Sequence, residues 1–169
     1  MVALTDADVL NLKKLLQTEW VQRAGTDQAR GIIDTVLNRL ASGHWGSTIS
    51  AVVNQPRQFS AINGRPAWRE GRHSVEEYPN SRVSRVVNDF VDAYLAERAN
   101  GAQSIVGTNL NYANPTESDA VNSAWIRNLD GPVFGTGRIS HRHGTAPGYG
   151  RYRPGPYSIV LPRPPVATR

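Results

Sequence analysis

The chain has 169 residues, 39% of them hydrophobic and 20% charged, which suits one globular domain with its own core and excludes wholesale disorder. It has no cysteine, so disulfides, thiolate metal sites and a cysteine nucleophile are all excluded. The net charge of +5 predicts attraction to polyanions, with nucleic acid, acidic membrane surfaces and anionic wall polymers all qualifying.

Thr5-Asp6-Ala7-Asp8 reads as a helix start, and Val9, Leu10, Leu12, Leu15, Leu16 and Glu19 follow it with helical spacing, which predicts a first helix from about residue 6 to about residue 22. Lys13, Lys14 and Gln17 mark its polar side, so Glu19 places a carboxylate on the apolar stripe. Thr26-Asp27 starts a second helix whose Ala29, Ile32, Ile33, Val36, Leu37 and Leu40 form a nearly unbroken core stripe ending at Ser42-Gly43. Ser47-Thr48 caps a short helix through Ile49, Val52 and Val53, which Pro56 stops. Residues 55–79 read as irregular, because Pro56, Pro66, Pro79, Gly64 and Gly71 interrupt them. A further helix follows Ser81 through Val83, Val87, Val91 and Leu95 to Asn100-Gly101, and Asp119–Leu129 forms a shorter one. Beyond Gly131 the chain is rich in Gly, Pro, Arg and aromatics, and only Tyr157–Leu161 reads as a strand. The tail is expected as a strap that packs its tyrosines on the core with its arginines in water, against the alternative of a grip on single-stranded nucleic acid. No segment has the roughly 18 apolar residues of a membrane span, and the N-terminus lacks the pattern of a secretory signal.

Chemistry is sparse. His141 and His143 form a His-X-His pair, but no third ligand stands at a recognisable spacing, so no metal and no cofactor is expected. There is no G-x-S-x-G elbow. Glu19 has two readings: an acid that snorkels to water or meets Arg23 four residues on, or a half-buried proton carrier of the kind that glycosidic cleavage needs.

TEW (18–20), RGIIDTVLNRL (30–40), ISAVVNQPRQFSAI (49–62), NLNYANP (109–115), Trp125-Ile126-Arg127 and SHRHGT (140–145) resemble, in this order, the SleB/CwlJ family of cell wall hydrolases. The resemblance covers about residues 15–145 and leaves 146–169 as the strap. It implies a mainly α (α+β), lysozyme-like single catalytic domain, 1–169, with a few short strands, which cleaves the peptidoglycan sugar backbone. Glu19 lands on the family's catalytic glutamate and His141 on its late histidine. Two positions depart from the pattern: Trp20 stands where the family has alanine, and His143 where it has an aromatic residue.

A hydrolase of the usual kind wants two carboxylates, and Glu70, Glu76, Glu77 and Glu117 all lie in polar stretches with no sign of burial. This favours a lytic transglycosylase with the single acid Glu19, which produces 1,6-anhydro-MurNAc ends; the alternatives are an N-acetylmuramidase and a basic binding module without catalysis. Gln58 and Ser60 are expected to orient the sugar, with Asn114 and His141 also on the substrate, and Tyr112 to set its hydroxyl near the acid. Phe59 is a candidate wall that, like Trp125, is expected in the core rather than the cleft. Asn38 and Arg39 are expected to cap neighbouring backbone. The expected partner is the glycan strand, with no nucleic acid and no membrane insertion, and the chain is expected as a monomer that acts on the wall from a phage or through a secretion system.

Overall fold

The computed structural model describes residues 1–117 and 120–164, with side chains from 1–117 and 124–164. In chain order the elements are β1 (Val2–Ala3), α1 (Asp6–Glu19), α2 (Thr26–Ser42), α3 (Ile49–Val53), α4 (Ser60–Asn63), α5 (Arg65–Trp68), α6 (Arg85–Ala99), β2 (Asn111–Ala113), α7 (Ala120–Arg127), β3 (Val133–Phe134), β4 (His141–Gly144) and β5 (Ile159–Val160). The fold is mainly helical α+β, as expected.

Helix α1 starts at a capping box, with the Thr5 hydroxyl accepting from the Asp8 N–H and the Asp8 carboxylate accepting from the Thr5 N–H. The same carboxylate also accepts from the Ile49 N–H at 2.9 Å, so one acid holds the starts of α1 and α3 together. The helix ends at Glu19, earlier than its pattern suggests, because Trp20 turns extended (ψ 122°) and its indole N–H donates to Gly25 O at 3.0 Å. Nor is its polar side free. Lys14 is 4% exposed and its ammonium donates to Glu76 O, while Gln17 accepts from the Ser84 N–H, because α2, α3, α4 and α6 surround the helix.

Helix α2 is buried from Gln28 to Leu40 except at the half-buried Arg30. Its apolar face carries Ile32, Ile33, Val36 and Leu37 into one core with Leu12, Leu15 and Leu16 of α1, Ile49 and Val52 of α3, and Val87, Val91 and Leu95 of α6. Its polar residues are equally buried and serve the irregular segment 102–110. Asp34 accepts from the Ile105 N–H and the Tyr94 hydroxyl and pairs with Arg98 at 2.9 Å. Asn38 donates to Gly107 O and Asn109 O, and Arg39 donates to Leu110 O. A loop that could not bury its own backbone is thereby satisfied, and β2 leaves it in a fixed direction.

β4 pairs antiparallel with both β2 and β3, with Tyr112 opposite His143 and Phe134 opposite His141. This corrects the reading that only Tyr157–Leu161 forms a strand: alternation is present in His141-Arg142-His143, but the buried members are histidines rather than apolar residues. α6 begins at its cap Ser84, not after Ser81, which lies in a 3-10 turn over Asn80–Arg82. Residues 55–79 are mostly irregular but hold the single-turn helices α4 and α5. The expected start of the last helix at Asp119 lies outside the described residues, as do residues 165–169 of the strap.

In the strap, Tyr152 and Tyr157 pack against the core, Arg151 and Arg153 are exposed, and β5 runs parallel to β1. The sheet meets α2 at Gly31, where a Cβ would stand 2.7 Å from His143 Nε2 and 3.0 Å from Phe134 Cδ2. Gly31→Ala is expected to cost about 1–3 kcal/mol by overpacking, read as a lower urea midpoint with an unchanged slope.

Candidate active site

Glu19 is the last residue of α1, and three features there favour its neutral form. Burial is the largest and raises its pKa to about 7. The carboxyl also stands at the negative end of the helix dipole, with no basic residue in the last turn. Finally, no cation among the described residues lies within ion-pair distance, and Arg23 is exposed and unpaired with it. Opposing these, the Tyr112 hydroxyl donates to Glu19 Oε2 at 3.3 Å, which favours the ionised form. Glu19 is half-buried and opens on a groove, so its carboxyl is partly held from water yet reachable.

Tyr112 comes from β2, and its ring is stacked on His141 (centroids 4.8 Å apart, 26° between planes) with His143 at 5.2 Å. Burial lowers the pKa of His141 to about 4 and of His143 to about 3, so both are neutral rings near pH 7. His143 Nδ1 meets Thr35 Oγ1 at 3.1 Å, and its ring packs on Phe134, so it occupies an aromatic's place as an aromatic would. His141 instead lines the groove. His44 stacks on Tyr152 and His73 on Trp68, and among the described residues no group of three His or acidic side chains could hold a metal. Trp20, the other departure, packs at a tilt of 39° against Phe90, with centroids 5.2 Å apart, and closes the turn after α1, which frees Glu19 from a continuing helix.

The groove has two arms that share Arg39, Arg57, Gln58, Tyr112, Ala113 and Glu117. One arm, of about 620 Å³, holds Glu19 with Phe59, Ser60, Asn114 and His141; the other, of about 810 Å³, runs past Trp45, Trp125, Ile126 and Tyr149. All seven candidate residues named from the sequence therefore line the Glu19 arm. Phe59 is 4% exposed and belongs to the core and the groove wall at once. Trp125, expected in the core, is half-buried and walls the second arm. Arg39 does more than cap backbone: it reaches the groove and donates to Gln58 Oε1 at 2.6 Å, fixing that amide. Its position three residues after Val36 on a core stripe carries the same signal that singled out Glu19. Arg57 was also missed; it sits at φ 64°, in the left-handed region, right after Pro56, and this turn aims Arg57 and Gln58 at the groove.

Of the four glutamates weighed above as a second carboxylate, three are engaged elsewhere. Glu70 binds Arg72 and Arg82, Glu76 accepts from Ser50 and Asn54, and Glu77 accepts from the His73 N–H; none of them lines the groove. Glu117 is exposed and lines both arms.

A family model described as Cell Wall Hydrolase matches residues 25–136. The chain belongs to this family. As a cell wall hydrolase of the SleB/CwlJ type, it has peptidoglycan as its substrate and acts on the cell wall. The match takes in the V-L-N-R, Q-F-S and N-P segments and stops between Glu19 on one side and His141 on the other, both of which share the groove with matched residues. Searches of curated proteins and of solved structures give no match. Among the described residues no helix is long and apolar enough to cross a membrane.

Proposed function

We propose that this cell wall hydrolase cleaves the MurNAc–GlcNAc glycosidic bond as a lytic transglycosylase, with Glu19 as its acid and base. The observation that carries the reading is a half-buried glutamate lining the groove, its pKa raised to about 7 by burial, with a tyrosine hydroxyl on it and, among the described residues, no buried second carboxylate beside it. Glu19 would give its proton to the bridging oxygen as the C1–O bond breaks. The resulting carboxylate, held by the Tyr112 hydroxyl, then takes the proton of the muramoyl C6 hydroxyl as that oxygen bonds to C1, which closes the 1,6-anhydro ring and restores the acid. No water enters the balance. Gln58, fixed by Arg39, and the groove residues Ser60, Asn114 and His141 would orient the sugar, with Phe59 as an apolar wall.

Mass spectrometry of digested sacculi tests the reaction type: anhydro-muramoyl ends are the expected product. A muramidase is the second reading, favoured by one observation, the exposed Glu117 on the same groove, which could activate a water. Under the transglycosylase reading Glu117→Gln keeps most of the activity; reducing ends from the wild type together with an inactive Glu117→Gln would select the muramidase.

The proton must be on Glu19 at the start of each turnover, so activity is expected to fall as pH rises through about 7. Tyr112→Phe removes the hydrogen bond that favours the carboxylate, which raises the Glu19 pKa further. We expect kcat to drop roughly tenfold, the worth of a hydrogen bond to a charged group, and the alkaline limb of the pH–rate profile to move upward. A limb that stays in place would detach Tyr112 from the acid.

A further inference from the structure

The larger arm of the groove is not needed to hold a proton donor, yet it is built as a binding site. Its floor is polar, with Arg39, Gln58 and Asn111, and its walls are Trp45, Trp125 and Tyr149. Pyranose rings present the same contrast, with axial C–H bonds on the ring faces and hydroxyls around the rim, and its volume of about 810 Å³ lies in the range of small-molecule sites.

The walls are set before any ligand arrives. The Arg39 guanidinium lies 5.1 Å over the Trp45 ring, and His44 meets that ring edge-on at 4.7 Å. Tyr149 stacks near Trp45 at 5.7 Å and 24°, and the neighbouring His44–Tyr152 stack at 3.6 Å ties the loop after α2 to the strap. Tyr149 itself is 37% exposed, lies outside the core cluster, and is carried by a turn in which its N–H donates to Ala146 O. A large aromatic that the core does not use, presented on a groove by a turn, is suited to stacking on a ligand. It also lies beyond the family match, which ends at residue 136.

We propose that the arm walled by Trp45, Trp125 and Tyr149 is a saccharide subsite that grips the glycan strand beyond the scissile bond, with Tyr149 as its stacking platform. This rests on the proposed action at the glycan backbone and assigns the strap a part in substrate binding. Longer strands then gain affinity that short ones cannot reach.

The test is steady-state kinetics on defined GlcNAc–MurNAc oligomers of increasing length, with the wild type, Tyr149→Ala and Tyr149→Phe. For the wild type kcat/KM should rise about tenfold or more once the oligomer is long enough to fill both arms, mainly through KM. Tyr149→Ala should lose that rise while keeping wild-type rates on the shortest oligomer cleaved, and Tyr149→Phe, which retains the ring, should keep it. Equal length dependence in the wild type and Tyr149→Ala would overturn the subsite and leave the proposed reaction standing. A wild type that cleaves no glycan bond in oligomers or sacculi would overturn both.

Discussion

Glu19→Gln is expected to slow clearing of peptidoglycan by about 10²–10⁴-fold, the range that a positioned proton donor contributes. Glutamine keeps the size and shape of the side chain, and its carbonyl oxygen can still accept from the Tyr112 hydroxyl that now reaches Glu19 Oε2. What it lacks is a proton that can leave. The groove, the helix end and the Arg39–Gln58 contact are untouched, so substrate binding should persist and the loss should fall on kcat. A turbidity assay on purified sacculi beside a zymogram measures it, and circular dichroism verifies the fold. A variant that clears sacculi within about threefold of the wild type would remove Glu19 from the chemistry. A basic wall-binding module without catalysis would show no clearing from either protein.

The legible parts of this molecule are those in which one residue type repeats with one period. Helix α2 and its stop at Gly43, which adopts φ 72°, follow from apolar spacing and a glycine where a left-handed turn is needed. The Thr5 and Thr48 caps also read directly. Illegible were the polar groups that are buried for tertiary reasons. Lys14 reads as surface, yet it is enclosed because the end of the 55–79 segment brings the Glu76 carbonyl over it. β4 escapes because its inward residues are His141 and His143, which pattern reasoning counts as polar although their rings are neutral and packed.

The candidate site divides in the same way. The spacing of Leu12, Leu15, Leu16 and Glu19 raises the right question, but it cannot say whether the carboxyl meets Arg23 or a groove. That depends on Trp20 ending the helix and on β2 arriving from 93 residues away with Tyr112. Arg39 was accessible to the same reasoning, since it is a charge on a core stripe. Tyr149 was not, because only the folded strap brings it beside Trp45.

The substitution expected to slow the chemistry should also stabilise the protein, in a pH-dependent way. Glu19 ionises near pH 4.5 in the unfolded chain and near 7 in the folded one. Below the lower value the carboxyl is neutral in both states and costs nothing. As pH rises between the two, the unfolded chain sheds the proton first, and the folded state loses ground by about 1.4 kcal/mol for each pH unit. By pH 8 the deficit is about 3 kcal/mol. Glutamine at this position carries no such deficit. The melting temperature of Glu19→Gln should therefore match the wild type near pH 4 and exceed it by about 6–12 °C at pH 8, taking roughly 2–4 °C per kcal/mol for a chain of this size. The depressed histidines His141 and His143 weaken both proteins in acid, and because they are common to both, they cancel in the difference. Equal melting curves at pH 8 would mean that Glu19 ionises as it does in water, and a carboxyl ionised at neutral pH has no proton to give to a glycosidic oxygen. On the proposed reaction, a helix ended early at Trp20, with its acid held half out of water, gives up folding stability above about pH 4.5 for a proton donor.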